Sequence, residues 1–98
     1  MTLDDVKRLI APELPALHAC GVTALHVFGS VARGEAHPSS DIDVIVDFDP
    51  HSHFSIIDLV GVKQRLAARL GANVDVVTRD GIHRRIREQV LQEAVQVL

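Results

Sequence analysis

Two short groups in this chain have residue types and a spacing suited to phosphoryl chemistry: Gly29-Ser30 and, after ten intervening residues, Asp41-Ile42-Asp43. The stretch reads GSVARGEAHPSSDIDVIVDF over positions 29–48. Residues 22–28 are β-branched and apolar, so Gly29 falls at the end of a strand. Glycine there permits a tight turn and lets a ligand approach the main chain closely. The Ser30 hydroxyl and the amides of the next residues can then face an anion, as a helix N-terminus does. Asp41 and Asp43 lie on the following strand, on one face and roughly 7 Å apart at Cα. Flexible carboxylates at that separation can converge on one or two divalent ions, which in two-metal sites lie about 3.5–4 Å apart.

Asp75 is the third acid of interest, the only one inside the V-D-V-V run of residues 74–77. If that strand neighbours the one carrying Asp41 and Asp43, all three carboxylates share a face. Two like charges about 4 Å apart repel by about 4 kcal/mol at an effective dielectric of 20. Three such groups call for a cation, and Mg²⁺ held jointly by carboxylates and substrate phosphates is the usual solution. The competing reading is three ordinary solvated sheet residues.

Other polar residues divide between functional and plain roles. Arg33, three residues after Ser30, could reach a phosphate oxygen or could pair with Glu35 at the surface. Glu35 reads as a structural ion-pair partner, and Asp47 as a surface residue remote from Asp41 along the strand. His37 could touch substrate. His51 and His53 would bind a metal only with further ligands, which the sequence does not supply, so a turn or cap role is the better reading. Arg79, Arg84, Arg85 and Arg87 crowd the C-terminal fifth as a solvated helix face, or as contacts to a partner or nucleotide. Other phosphate motifs fail: there is no G-x-x-x-x-G-K-[ST] and no G-x-G-x-x-G opening a helix after a strand. Ser30 is not in a nucleophile elbow.

The elements that must position these groups follow from periodicity and punctuation. Thr2 with Asp5 forms a variant capping box, and Leu3, Val6, Leu9 and Ile10 keep helical spacing. Pro12 and Pro15 should break or restart that helix, and Gly21 should stop it. A strand is expected over 23–28, a short helical turn over 30–34 and a loop over 35–40. The second strand, 41–48, sets Ile42, Val44, Val46 and Phe48 on one face and Asp41, Asp43, Ile45 and Asp47 on the other. A helix over 53–70 stops at Gly71; a third strand covers 73–78; Asp80-Gly81 is a turn. Ile82, Ile86, Val90 and Leu91 suggest a last helix, and 94–98 a short strand. This order predicts an α/β (α+β) sandwich with a mixed sheet packed against helices.

Ninety-eight residues make one domain, 1–98, at the small end of the normal range. Apolar residues are 47%, yet there is no Trp or Tyr and only three Phe, so Val, Leu, Ile and Ala must build the core. A net charge of −3 argues against a general nucleic-acid-binding surface. The single cysteine, Cys20, allows no internal disulfide and reads as a small buried hydrophobe. No apolar run reaches the roughly 18–20 residues of a membrane span. The opening MTLDDVKRL carries acids where a signal peptide would carry bases. A cytoplasmic location is expected.

The pairing of G-S with D-x-D resembles the signature of the DNA polymerase β-like nucleotidyltransferase superfamily. More narrowly, GSxARGE…SDIDVIVDF resembles the minimal nucleotidyltransferase (MNT) antitoxins, the partners of HEPN toxins, from the first helix to near the C-terminus. The resemblance implies that Asp41 and Asp43 hold two Mg²⁺ ions and that Asp75 holds the catalytic one and assists deprotonation of the acceptor. It implies that Gly29 and Ser30 bind the β- and γ-phosphates of ATP. It further implies AMP transfer to a tyrosine of a HEPN toxin, with which the chain could form a hetero-oligomer. About twenty residues follow the third strand, so the acceptor is expected from a separate macromolecule. A stoichiometric binding antitoxin and an enzyme acting on a small-molecule acceptor are the alternatives.

Overall fold

The computed structural model describes residues 1–37 and 41–98; Pro38, Ser39 and Ser40 of the expected loop lie outside the described residues. The chain runs α1 (Leu3–Ile10), a 3₁₀ turn (Ala11–Glu13), α2 (Leu14–Ala19), β1 (Val22–Phe28) and β2 (Ile42–Phe48). It continues through α3 (Ile56–Leu70), β3 (Val74–Val77), a 3₁₀ turn (Arg79–Gly81), α4 (Arg87–Glu93) and β4 (Val95–Gln96). The capping box forms as expected: Thr2 N–H donates to Asp5 Oδ2 at 2.9 Å, and Asp5 N–H to Thr2 Oγ1 at 3.2 Å. Pro12 falls in the 3₁₀ turn and Pro15 in the first turn of α2, where a missing N–H costs nothing.

Two helix boundaries differ from the expectation. The third helix starts at Ile56 rather than 53, because Ser55 and Asp58 form a second capping box. The last helix begins only at Arg87. Ile82 is extended (φ −76°, ψ 130°) and buried, so its apolar character serves as a plug on the sheet rather than as a helix face. The Arg87 guanidinium donates to the Ile82 carbonyl at 3.2 Å and so ties the intervening turn to α4.

The four strands are ordered β3-β2-β1-β4. β1 pairs antiparallel with β2 and with β4, while β2 and β3 are parallel. That mixed sheet is the predicted one. A register shift between Val22 and Ala24 puts Val22 on the same side as Leu25 and Val27. Those residues, with Ile42, Val44, Val46 and Val74, pack against Val6, Ile10 and Leu17 of the N-terminal helices and Val62, Leu66 and Leu70 of α3. Cys20 is half-buried against this core, as a small hydrophobe. Glu13 accepts from Arg65 at 3.0 Å and Arg69 at 2.7 Å, joining the first 3₁₀ turn to α3.

The opposite face carries a smaller cluster. Ile45, fully buried, packs with Ile82 and Val90 and against Phe28, Val77 and Ala94. Burying one such side chain contributes about 1.5–3 kcal/mol, enough to hold the 82–90 segment down on the sheet. Acids flank this patch along β2: Asp43 at one end and Asp47 at the other.

Candidate active site

Gly29 leaves β1 with φ +74°, a conformation that L side chains adopt only at a cost. A Cβ built there would collide with the Asp43 carboxylate. Glycine thus suits the turn by its φ and leaves the room that the Asp43 carboxylate takes up. The chain after it closes a helical turn, with Arg33 N–H donating to the Gly29 carbonyl at 3.1 Å and Glu35 N–H to the Ser30 carbonyl at 2.8 Å.

Asp43 and Asp75 are partners in the parallel register of β2 and β3, and Asp41 immediately precedes β2. Asp43 is half-buried, while Asp41 and Asp75 are exposed. Burial pushes the Asp43 carboxyl above the usual range, and the charges of Asp75 and Asp41 push in the same direction. The acids sense one another, as their predicted common face requires.

A cleft of about 490 Å³ gathers every residue singled out for chemistry: Gly29, Ser30, Arg33, Asp41, Asp43 and Asp75. His37 also lines it. Arg33 is engaged, donating from Nε to Glu35 at 3.0 Å and from Nη1 to Glu93 at 3.2 Å. Both carboxylates raise its already high pKa, Glu35 most strongly through its hydrogen bond. The expected pair with Glu35 and a place in the cleft are thus both realised.

The far wall was not anticipated. Ile86, Gln89, Val90 and Glu93 face the acids from α4 and its cap. Their spacing is that of a single helical stripe, but nothing in the sequence says which surface that stripe meets.

Asp47 belongs to a separate polar group rather than to open surface. Arg79 donates to both its oxygens, at 2.7 and 3.1 Å, and His26 Nε2 lies 2.9 Å from Oδ2. The hydrogen bonds from Arg79 hold the Asp47 carboxyl below the ordinary range, with His26 adding to the effect. Arg84 and Arg85 are exposed, as are His51 and His53.

Hard carboxylate oxygens are the donors Mg²⁺ prefers. Among the described residues no three His, Cys, Asp or Glu side chains close into a ready-made metal cage. Asp41, Asp43 and Asp75 could hold such an ion only together with further donors, as Mg²⁺ does when it shares phosphate oxygens and water.

Residues 7–97 match the nucleotidyltransferase domain family. A Methanocaldococcus jannaschii relative, provisionally named a protein adenylyltransferase, is 41% identical over 98 residues that span all of both chains. The protein adenylyltransferase MntA of Thermococcus cleftensis is 34% identical, over 99% of this chain and 97% of its own. A solved structure provisionally described as a minimal nucleotidyltransferase superposes with a TM-score of 0.78 at 38% identity, covering 97% of this chain and 95% of that one. A toxin–antitoxin structure with AMP-PNP shares the fold, with a TM-score of 0.69 at 23% identity over 100% of this chain and 73% of that one. No helix among the described residues is long and apolar enough to cross a membrane. The chain belongs to the nucleotidyltransferase domain family, on its minimal α+β fold.

Proposed function

We propose that this chain transfers AMP from ATP to a tyrosine hydroxyl of a HEPN toxin, using two Mg²⁺ ions, and serves as the antitoxin of that partner in the cytoplasm. The observation that carries this reading is the single cleft in which Gly29 and Ser30 face Asp41, Asp43 and Asp75. Protein acceptors are supported by relatives named protein adenylyltransferases, and a toxin partner by a structural neighbour that is a toxin–antitoxin complex.

In this reading Asp41 and Asp43 would hold both ions, and Asp75 the catalytic one. When bound, the ions neutralise the leaving pyrophosphate and lower the acceptor's pKa. The turn at Gly29 and Ser30, with Arg33, holds the β- and γ-phosphates and leaves the α-phosphorus facing the acids. The acceptor oxygen bonds to that phosphorus as the bond to the bridging oxygen of the β-phosphate breaks. Asp75, exposed beside Asp43 in the cleft, takes the hydroxyl proton, and pyrophosphate departs on the Ser30 side.

The test is the intact mass of the partner toxin co-expressed with this chain. A mass increase of one AMP per modified tyrosine is expected, and its absence with Asp43→Asn. An unmodified partner in a neutralised complex would overturn transfer in favour of stoichiometric inhibition.

A further inference from the structure

Arg33 stands between two carboxylates, the closer one exposed and the other sheltered: Nε donates to Glu35 at 3.0 Å and Nη1 to Glu93 at 3.2 Å. Glu35 is 67% exposed, so water screens its pair with the guanidinium; Glu93 is 20% exposed. Both Glu93 oxygens accept from Arg33 Nη1, at 3.4 and 3.2 Å, and Gln89 Nε2 approaches Oε1 at 3.5 Å. Glu93 is the last residue of α4, and Arg33 ends the helical turn begun at Gly29. Their bond therefore joins the two walls of the cleft.

The Arg33 side chain is itself 44% exposed, so without Glu93 only the solvent-screened pair with Glu35 would hold it. We propose that Glu93 is a positioning residue for the nucleotide: it keeps the Arg33 guanidinium in the cleft, oriented toward the β- and γ-phosphates before they arrive. This rests on the reading of Arg33 as a phosphate ligand. Holding a long side chain in place beforehand reduces the freedom lost when ligand binds. The negative charge of Glu93 acts in the opposite sense, by repelling phosphate. Because that charge is already spent on a guanidinium and an amide, the positioning effect prevails.

Calorimetry with Mg²⁺ and AMP-PNP separates the two, using Arg33→Ala, Glu93→Ala, Glu93→Gln and the Arg33→Ala/Glu93→Ala double variant. AMP, which lacks the β- and γ-phosphates, is the control ligand. Glu93→Ala should weaken AMP-PNP by about five- to tenfold, the partial loss of one charge-assisted contact. Glu93→Gln, which keeps an acceptor and the side-chain volume, should recover part of that loss. The double variant should bind no worse than Arg33→Ala alone, and AMP should bind all variants equally. Unchanged or tighter AMP-PNP binding by Glu93→Ala and Glu93→Gln, with Arg33→Ala still weakened, would overturn the positioning role. So would additive losses in the double variant. If Arg33→Ala itself binds AMP-PNP normally, the phosphate role of Arg33 fails first, and the inference with it.

Discussion

The Asp43 carboxylate occupies the space that a side chain at Gly29 would need. The turn at Gly29 and the acid cluster are thus a single packed unit. Gly29→Ala forces a left-handed residue, costing about 1–2 kcal/mol, and also displaces the carboxylate. We expect a lower melting temperature and a loss of AMP transfer of about a hundredfold, the scale of a misplacement of about 1 Å. Thermal unfolding and initial-rate assays check this together. Wild-type activity in a destabilised Gly29→Ala protein would sink the coupling.

Asp43 leads to a prediction about pH. Its carboxyl is raised first by burial and then by Asp75 and Asp41. A raised folded pKa means that the native state binds the proton more tightly than the unfolded chain, so ionised Asp43 costs stability at neutral pH. That cost disappears as pH falls through the folded pKa. In EDTA, Asp43→Asn should therefore melt above wild type at pH 7, and the gap should close as the medium is acidified. A variant less stable than wild type at pH 7 would show that the carboxylate is a structural bond acceptor.

Much of the site was legible because an acid in a strand is conspicuous. Asp43 and Asp75 interrupt β-branched runs, and Gly29 ends one, so their meeting in one cleft could be anticipated from residue type and period. The 82–91 region was legible in composition but not in geometry. Ile82 has the spacing of a helical residue, yet it plugs the sheet over Ile45, because burial outweighs weak local propensity. Glu93 was invisible for another reason: its partner Arg33 lies 60 residues away, and only the path of α4 across the sheet brings them together. Asp47 read as a surface residue for the same reason, since Arg79 reaches it from 32 residues away.

That pair anchors the segment leading to α4. Asp47 is held below the ordinary carboxylate range by Arg79 and His26, so its contribution is present at neutral pH. It is lost as pH falls below about 4 and through the depressed folded value. Both partners are partly exposed, so Asp47→Asn should cost only about 1 kcal/mol at pH 7. Urea midpoints at pH 7 and pH 3 check this, and the difference from wild type should shrink at the lower pH. An undiminished difference at pH 3 would assign the effect to packing rather than charge.

Catalysis and simple occlusion of the toxin diverge in the Asp41→Asn/Asp43→Asn double variant. Both changes are nearly isosteric and remove repulsion from the cleft, so the fold should survive and gain stability without metal. The hard oxygen donors are lost, and with them the counterions of both the nucleophile and the leaving group. AMP transfer should fall by several orders of magnitude, a loss that a steady-state assay and the partner's intact mass would both register. If neutralisation is enzymatic, cells expressing the toxin with this variant should die, although the two proteins still co-purify. Occlusion predicts the reverse: a complex that protects fully while the toxin keeps its unmodified mass. Because the cleft spends three like charges on one wall, at a cost that binding alone would not require, we expect loss of protection.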